Sequence, residues 1–243
     1  MTMIISAHLG DCVLIAADKR AMGCDIETGN MRLFHDDEQK IRHWCRGAIA
    51  ATGETVFLNR IMDYFSNFQF EQQEMKQMDV IYEEIERRIL EGVPKEMLIN
   101  NSVIFSMFDG QKSSLYTIPM EPFFLEFNRD DGVRIIRPRM FEIKLWTVDV
   151  SCFNLPPDMS SLQDFQRQLR SLASFSSELE FIEYYAQELK KIFAIQASID
   201  PSITTSFDLY LQSSTTGHSI SLHVTNAVST TNLTKELNYW KRT

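Results

Sequence analysis

Residues 2–20 read TMIISAHLGDCVLIAADKR, and this stretch decides the fold. Two apolar runs, 3–7 and 12–17, flank a Gly10-Asp11 pair. Such a pair between apolar runs marks a β-hairpin. The second run, CVLIAA, ends in Asp18-Lys19-Arg20. Charges are rarely buried unless paired. A buried strand that ends this way delivers an acid and a base to one place, and the first strand begins beside them with a hydroxyl residue, Thr2.

Initiator methionine is usually trimmed before a small second residue, which would leave Thr2 with a free α-amine. The unperturbed pKa of that amine is about 7.7–8.0. It is therefore partly neutral near pH 7 and able to take the proton from its own hydroxyl, the threonine–terminal-amine form of nucleophilic catalysis.

At this point the chain resembles proteasome β-subunits and HslV-type peptidases of the N-terminal-nucleophile hydrolase superfamily. Their mature N-terminal threonine is followed by a strand ending A-A-D-x-R. Here Ala16-Ala17-Asp18-Lys19-Arg20 stands at the same distance, sixteen positions separating Thr2 from Asp18. Gln39-Lys40-Ile41 resembles the family's Lys-Ile pair, and Ala50-Ala51-Thr52-Gly53-Glu54 resembles its small-residue strand end. The resemblance is clear over residues 2–60 and looser to about 225. It implies Thr2 as nucleophile, Lys40 as the cation beside it, Asp18 as the partner that holds Lys40, and the Gly53 N–H as oxyanion donor. Asp200 and Ser202 lie where the family places an Asp and a Ser that orient the terminal amine. Arg20 is read as structural support. Lys19 is the rival to Lys40, but strand alternation points it away from the side of Asp18.

The resemblance implies an αββα sandwich, a substrate of peptide or unfolded protein, self-assembly into a homo-oligomeric ring, and an ATPase regulator. Two departures stand out. The stretch from Asp18 to Lys40 is longer than is usual in the family, which an extended hairpin over residues 21–35 would absorb. The family's Gly-Ser-Gly loop is missing between Arg134 and Leu155, with Ser151 as a weak substitute. Three readings follow: a threonine-type peptidase, a catalytically inactive structural paralogue, or an N-terminal-nucleophile amidase acting on a small amide.

Composition narrows the partners. The 243 residues carry a formal net charge of −9, which argues against nucleic acid, whose phosphates need basic clusters. No run of 18 apolar residues occurs, so no membrane span is expected. The apolar start is interrupted by His8 and Asp11, unlike a signal peptide. Cys12, Cys24, Cys45 and Cys152 are scattered without CxxC spacing, which suits reduced thiols in a cytoplasmic protein. The five histidines, His8, His35, His43, His218 and His223, show no metal-ligand spacing, so neither metal nor cofactor is expected.

The rest of the chain alternates between strand groups and helix pairs. Strands are expected over 41–44, 47–52, 102–108, 113–118, 123–127 and 133–136. Helices are expected over 54–70, with Thr52 or Thr55 as cap, and over 71–91, with a short turn at 95–99. Residues 140–158 read as an insertion or long loop with one β stretch at 143–150. Helices over 159–173 and 177–197 follow, the latter capped by Ser176 or Ser177. Strands 206–212 and 219–225 close the domain, assigned to residues 1–225, and 226–243 reads as a polar tail. Strand groups separated by helix pairs imply an α+β fold of two antiparallel sheets flanked by helices.

Overall fold

The computed structural model describes residues 2–24, 31–69, 75–124 and 138–225. The tail over 226–243 and the strand expected over 133–136 lie outside them, as does Met1. The opening hairpin forms as expected: β1 (Met3–His8) and β2 (Cys12–Asp18) pair antiparallel, Ile4 opposite Ala17 and His8 opposite Val13. Gly10 turns the chain at φ +87°, where a side chain would be strained. The Trp146 ring lies against it, 2.8 Å from where a Cβ would stand.

Every residue of β1 and β2 is buried. Continuous apolar runs, rather than alternation, are what strands covered on both faces require. Met3, Ile5, Leu14 and Ala16 pack on the helices, while Ile4, Val13, Ile15 and Ala17 pack on a second sheet. A short hairpin, β3 (Ala21–Cys24) with β4 (Met31–His35), leaves the end of β2 as an isolated two-stranded sheet.

The second sheet is built on β5 (Ile41–Trp44) and β6 (Gly47–Thr52), both with the expected bounds. It continues through β7 (Ser102–Phe108), β8 (Ser113–Pro119) and β9 (Phe141–Glu142) in that spatial order. Ala48, Ala50, Ile104 and Leu115 meet the first sheet across a thin apolar seam. On its outer face lie α1 (Thr55–Ser66), α2 (Gln77–Leu90) and α3 (Lys95–Ile99), burying Phe57, Ile61, Phe65 and Ile81. The cap of α1 is neither threonine: the Glu54 carboxylate accepts from Val56 N at 3.2 Å and Phe57 N at 2.7 Å.

Two expectations need correction. Residues 121–123 form a 3₁₀ turn rather than the start of a strand, as Pro122 fixes φ and removes a ladder donor. Residues 140–158 are not an insertion: after β9 the chain crosses between sheets and forms β10 (Val148–Cys152), the edge of the first sheet beside β1. The single β stretch expected there breaks because Trp146 turns the chain at φ +61° and its N–H donates to His8 O at 2.7 Å.

Two helices cover the first sheet: α4 (Met159–Arg167) and α5 (Glu178–Ile199), the latter capped by the Ser177 Oγ. The chain then returns as β11 (Phe207–Ser213) and β12 (Ser219–Val224), giving the sheet order β10-β1-β2-β11-β12. The layers run helix, sheet, sheet, helix, as expected from the element order.

Candidate active site

The first strand's start and the second strand's end meet at one corner of the first sheet. There Asp18, fully buried, accepts from Met3 N at 2.8 Å and from Lys40 Nζ at 2.9 Å through Oδ1. Its Oδ2 accepts from Arg20 N at 2.9 Å. The Lys40 ammonium also donates to Arg20 O at 2.7 Å. Burial pushes the Lys40 pKa below that of an ordinary lysine, and Asp18 pushes it back up. Lys19 points elsewhere, pairing with Asp208 of β11 at 3.3 Å, so Lys40 and not Lys19 is the lysine at Asp18.

While the Arg20 backbone contacts both members of the acid–base pair, its side chain ties the corner together from outside it. Its Nε and Nη2 grip Asp36 at 2.6 and 2.7 Å, and Nη1 donates to Pro201 O at 2.6 Å. The lengthened route from Asp18 to Lys40 is thereby pinned: β3 and β4 take up the extra residues, and Asp36 fastens their return.

Thr2 is buried and lines a cavity of about 40 Å³ together with Lys40, Gly53, Glu38, Leu58 and Met62. Gly53 follows β6 at φ +122°, a conformation that favours glycine. The strand hands its chain to α1 here, and the glycine turn lines the same cavity as Thr2. Four of the anticipated residues, Thr2, Asp18, Lys40 and Gly53, are therefore gathered at one corner.

Asp200 and Ser202 form a second cluster, outside the lining of that cavity. Asp200 caps the C-terminus of α5 and is fully buried. Its Oδ1 accepts from Ser202 N at 2.9 Å, Ser202 Oγ at 2.6 Å and Asn154 Nδ2 at 3.2 Å. Its Oδ2 has no hydrogen-bond partner among the described residues, an unusual condition for a buried acceptor. The loop that carries Asn154 runs beside the nucleophile candidate, since Phe153 N donates to Thr2 O at 3.2 Å. Sequence reasoning missed Asn154; its one signal is a polar residue two positions after the β10 strand. Ser151 is opposite Ile4 and so shares the face between the sheets. Next to it, burial aided by Asp200 and Asp18 pushes the Cys152 thiol up to about 12, which keeps it protonated.

Among the described residues, no group of three or more His, Cys, Asp or Glu could hold a metal ion. Among the same residues, no helix is long and apolar enough to cross a membrane.

The layers and the sheet order define an α+β sandwich of two antiparallel sheets flanked by helices, and solved structures share this fold. They include Anbu proteins. Anbu from Hyphomicrobium sp. strain MC1 matches with a TM-score of 0.56 at 13% identity, over 92% of this chain and 88% of that one. A Gly-1 mutant of the same protein gives 0.56 at 16%, over 99% and 93%. Anbu from Yersinia bercovieri, described as an ancestral β-subunit, gives 0.57 at 9%, over 93% and 88%. No protein-family model and no curated protein matches the chain.

These neighbours correct the family read from the opening residues. Anbu is related to proteasome β-subunits and HslV-type peptidases but is neither. At 9%, 13% and 16% identity, the likeness is one of fold.

Proposed function

We propose that the chain is a threonine-type hydrolase that cleaves peptide bonds with Thr2, once Met1 has been removed. The observation that carries this reading is the cavity shared by Thr2, Lys40 and Gly53, with the Lys40 ammonium held by fully buried Asp18. In the proposed cycle Thr2 Oγ attacks the substrate carbonyl carbon while its proton passes to the α-amine. The Lys40 cation disfavours a second positive charge nearby, which lowers the amine pKa and stabilises the alkoxide. The Gly53 N–H donates to the tetrahedral oxyanion.

Collapse breaks the C–N bond, and the leaving amine takes the proton from the α-ammonium. Water then attacks the Thr2 ester, the α-amine again accepts a proton, and Oγ recovers it as the ester C–O bond breaks. Asp200 and Ser202 orient the α-amine; the buried Asp200 Oδ2 that lacks a donor is what favours this role.

The purified protein is expected to lack Met1 by mass spectrometry, and Thr2→Ala to abolish peptide cleavage with the fold unchanged. An active enzyme that retains Met1 overturns the mechanism. The same reading carries self-assembly into a homo-oligomeric ring served by an ATPase, which the mass of the native particle and a pull-down with ATP test.

A further inference from the structure

The Gly53 turn is gripped from behind. Gly53 N belongs to the peptide that joins it to Thr52. On the Thr52 side that peptide is held by the sheet, where Thr52 lies opposite Ser102 and its Oγ1 accepts from Ser102 N at 3.2 Å. On the other side it continues into Glu54, which is held by three structures at once. Its N–H donates to Asn101 Oδ1 at 3.3 Å. Its carboxylate caps α1 through Val56 and Phe57. The same carboxylate takes a two-pronged grip from Arg88 of α2, Nε to Oε2 at 3.0 Å and Nη2 to Oε1 at 3.1 Å.

Capping alone needs no guanidinium. Arg88 and Glu54 have side chains only 12% exposed, so the pair is drawn out of water at a cost that a helix cap would not require. Asn101 completes the grip: its Oδ1 stands 1.6 Å from where a Gly53 Cβ would be, so the side chain packs directly on the glycine and leaves no room for a larger residue.

We infer that Arg88, acting through Glu54 with Asn101 as backstop, is a positioning residue that aims the Gly53 N–H at the oxyanion. The inference rests on the proposed threonine chemistry. An oxyanion donor must stand within roughly 2.7–3.1 Å of the developing charge, and a constellation loosened by about 0.5 Å or 10–20° loses it. A lysine at 88 would supply charge without the planar fork that fixes two oxygens.

Two threonine-directed reagents separate aim from general integrity. A peptide β-lactone acylates Thr2 through a tetrahedral oxyanion: the Oγ–C bond forms, the ring C–O bond breaks, and the alkoxide released takes the proton from the α-ammonium. A peptide vinyl sulfone adds Oγ to its β-carbon and places the proton on the α-carbon, with no carbonyl oxyanion. Arg88→Met and Arg88→Lys are each expected to slow β-lactone acylation about tenfold or more, short of the ~10²–10³ for a donor removed outright. Vinyl sulfone labelling should stay within about twofold, as should labelling of an Arg87→Met control. Glu54→Gln keeps a cap acceptor, loses the ionic grip, and carries the same test if the Arg88 variants do not fold. Equal slowing with both reagents, or wild-type acylation in the variants, overturns the inference. Wild-type protein that neither reagent labels overturns the threonine chemistry instead.

Discussion

Removing the Lys40 ammonium tests how the corner is held. Asp18 is fully exposed to no solvent at all, and two backbone N–H groups plus Lys40 satisfy it. In Lys40→Met the carboxylate keeps the N–H donors and loses its counter-charge. Breaking a buried pair in this way costs about 3–5 kcal/mol. At roughly 2–4 °C per kcal/mol for a chain of this size, the melting temperature should fall by about 6–20 °C. The pair itself need not be a net stabiliser. Taking the ammonium out of water carries a desolvation cost, and burial lowers the Lys40 pKa while Asp18, Glu38 and Asp36 raise it. The loss in Lys40→Met therefore comes from the acid left behind, and Asp18→Asn should recover part of it. Calorimetric melts of wild type, both single variants and the double variant at pH 7 give the cycle. Coupling within the ~0.5–3 kcal/mol expected of residues in contact supports the reasoning; additive losses would refute it.

His8 carries a pH signature. Burial pushes its pKa below the ordinary 6.5, and its Nδ1 accepts from Gly10 N, which suits a neutral ring. Below pH 6.5 the unfolded chain takes up a proton that the folded chain resists, so stability should fall on acidification through that range and be unaffected above it. Replacement by Asn should reduce the slope of melting temperature between pH 5 and 7, His43, whose pKa burial also lowers, supplying part of what remains; an unchanged slope counts against the assignment. At the second cluster, Asn154→Ala removes one donor from Asp200 and should cost about 1 kcal/mol in urea unfolding. Asn154→Asp sets like charge against Asp200 and should cost more, and the reverse order would contradict the contact.

The fold was legible where a strand has both faces covered. CVLIAA and GAIAAT are uninterrupted apolar runs too short for helices, and β2, β5 and β6 came out at or within one residue of their expected bounds. Legibility failed where a single backbone turn decides the path. Nothing in the composition of residues 143–150 announces that Trp146 adopts a positive φ, and that one residue converts a supposed insertion into a sheet edge beside Thr2. Likewise Thr52 and Thr55 are better caps by preference than Glu54, but Arg88, 34 residues away, rewards a carboxylate there.

The same division runs through the candidate site. Thr2, Asp18 and Lys40 could be chosen from sequence because they stand at the positions the resemblance implies; alternation turned Lys19 away from Asp18, and the structure pairs it with Asp208. The residues that support them come from far along the chain, Asn101 to Glu54 across 47 positions and Asn154 to Asp200 across 46. Long-range contacts leave no periodic trace, so they escaped notice, and with them went the information that separates branches of one architecture. A family read from the opening 60 residues rests on a short stretch of the chain, while the neighbours match it over 92–99% of its length as a fold. The supporting contacts are free to differ, and it is there, at Arg88, Asn101 and Asn154, that the chemistry particular to this chain has to be sought.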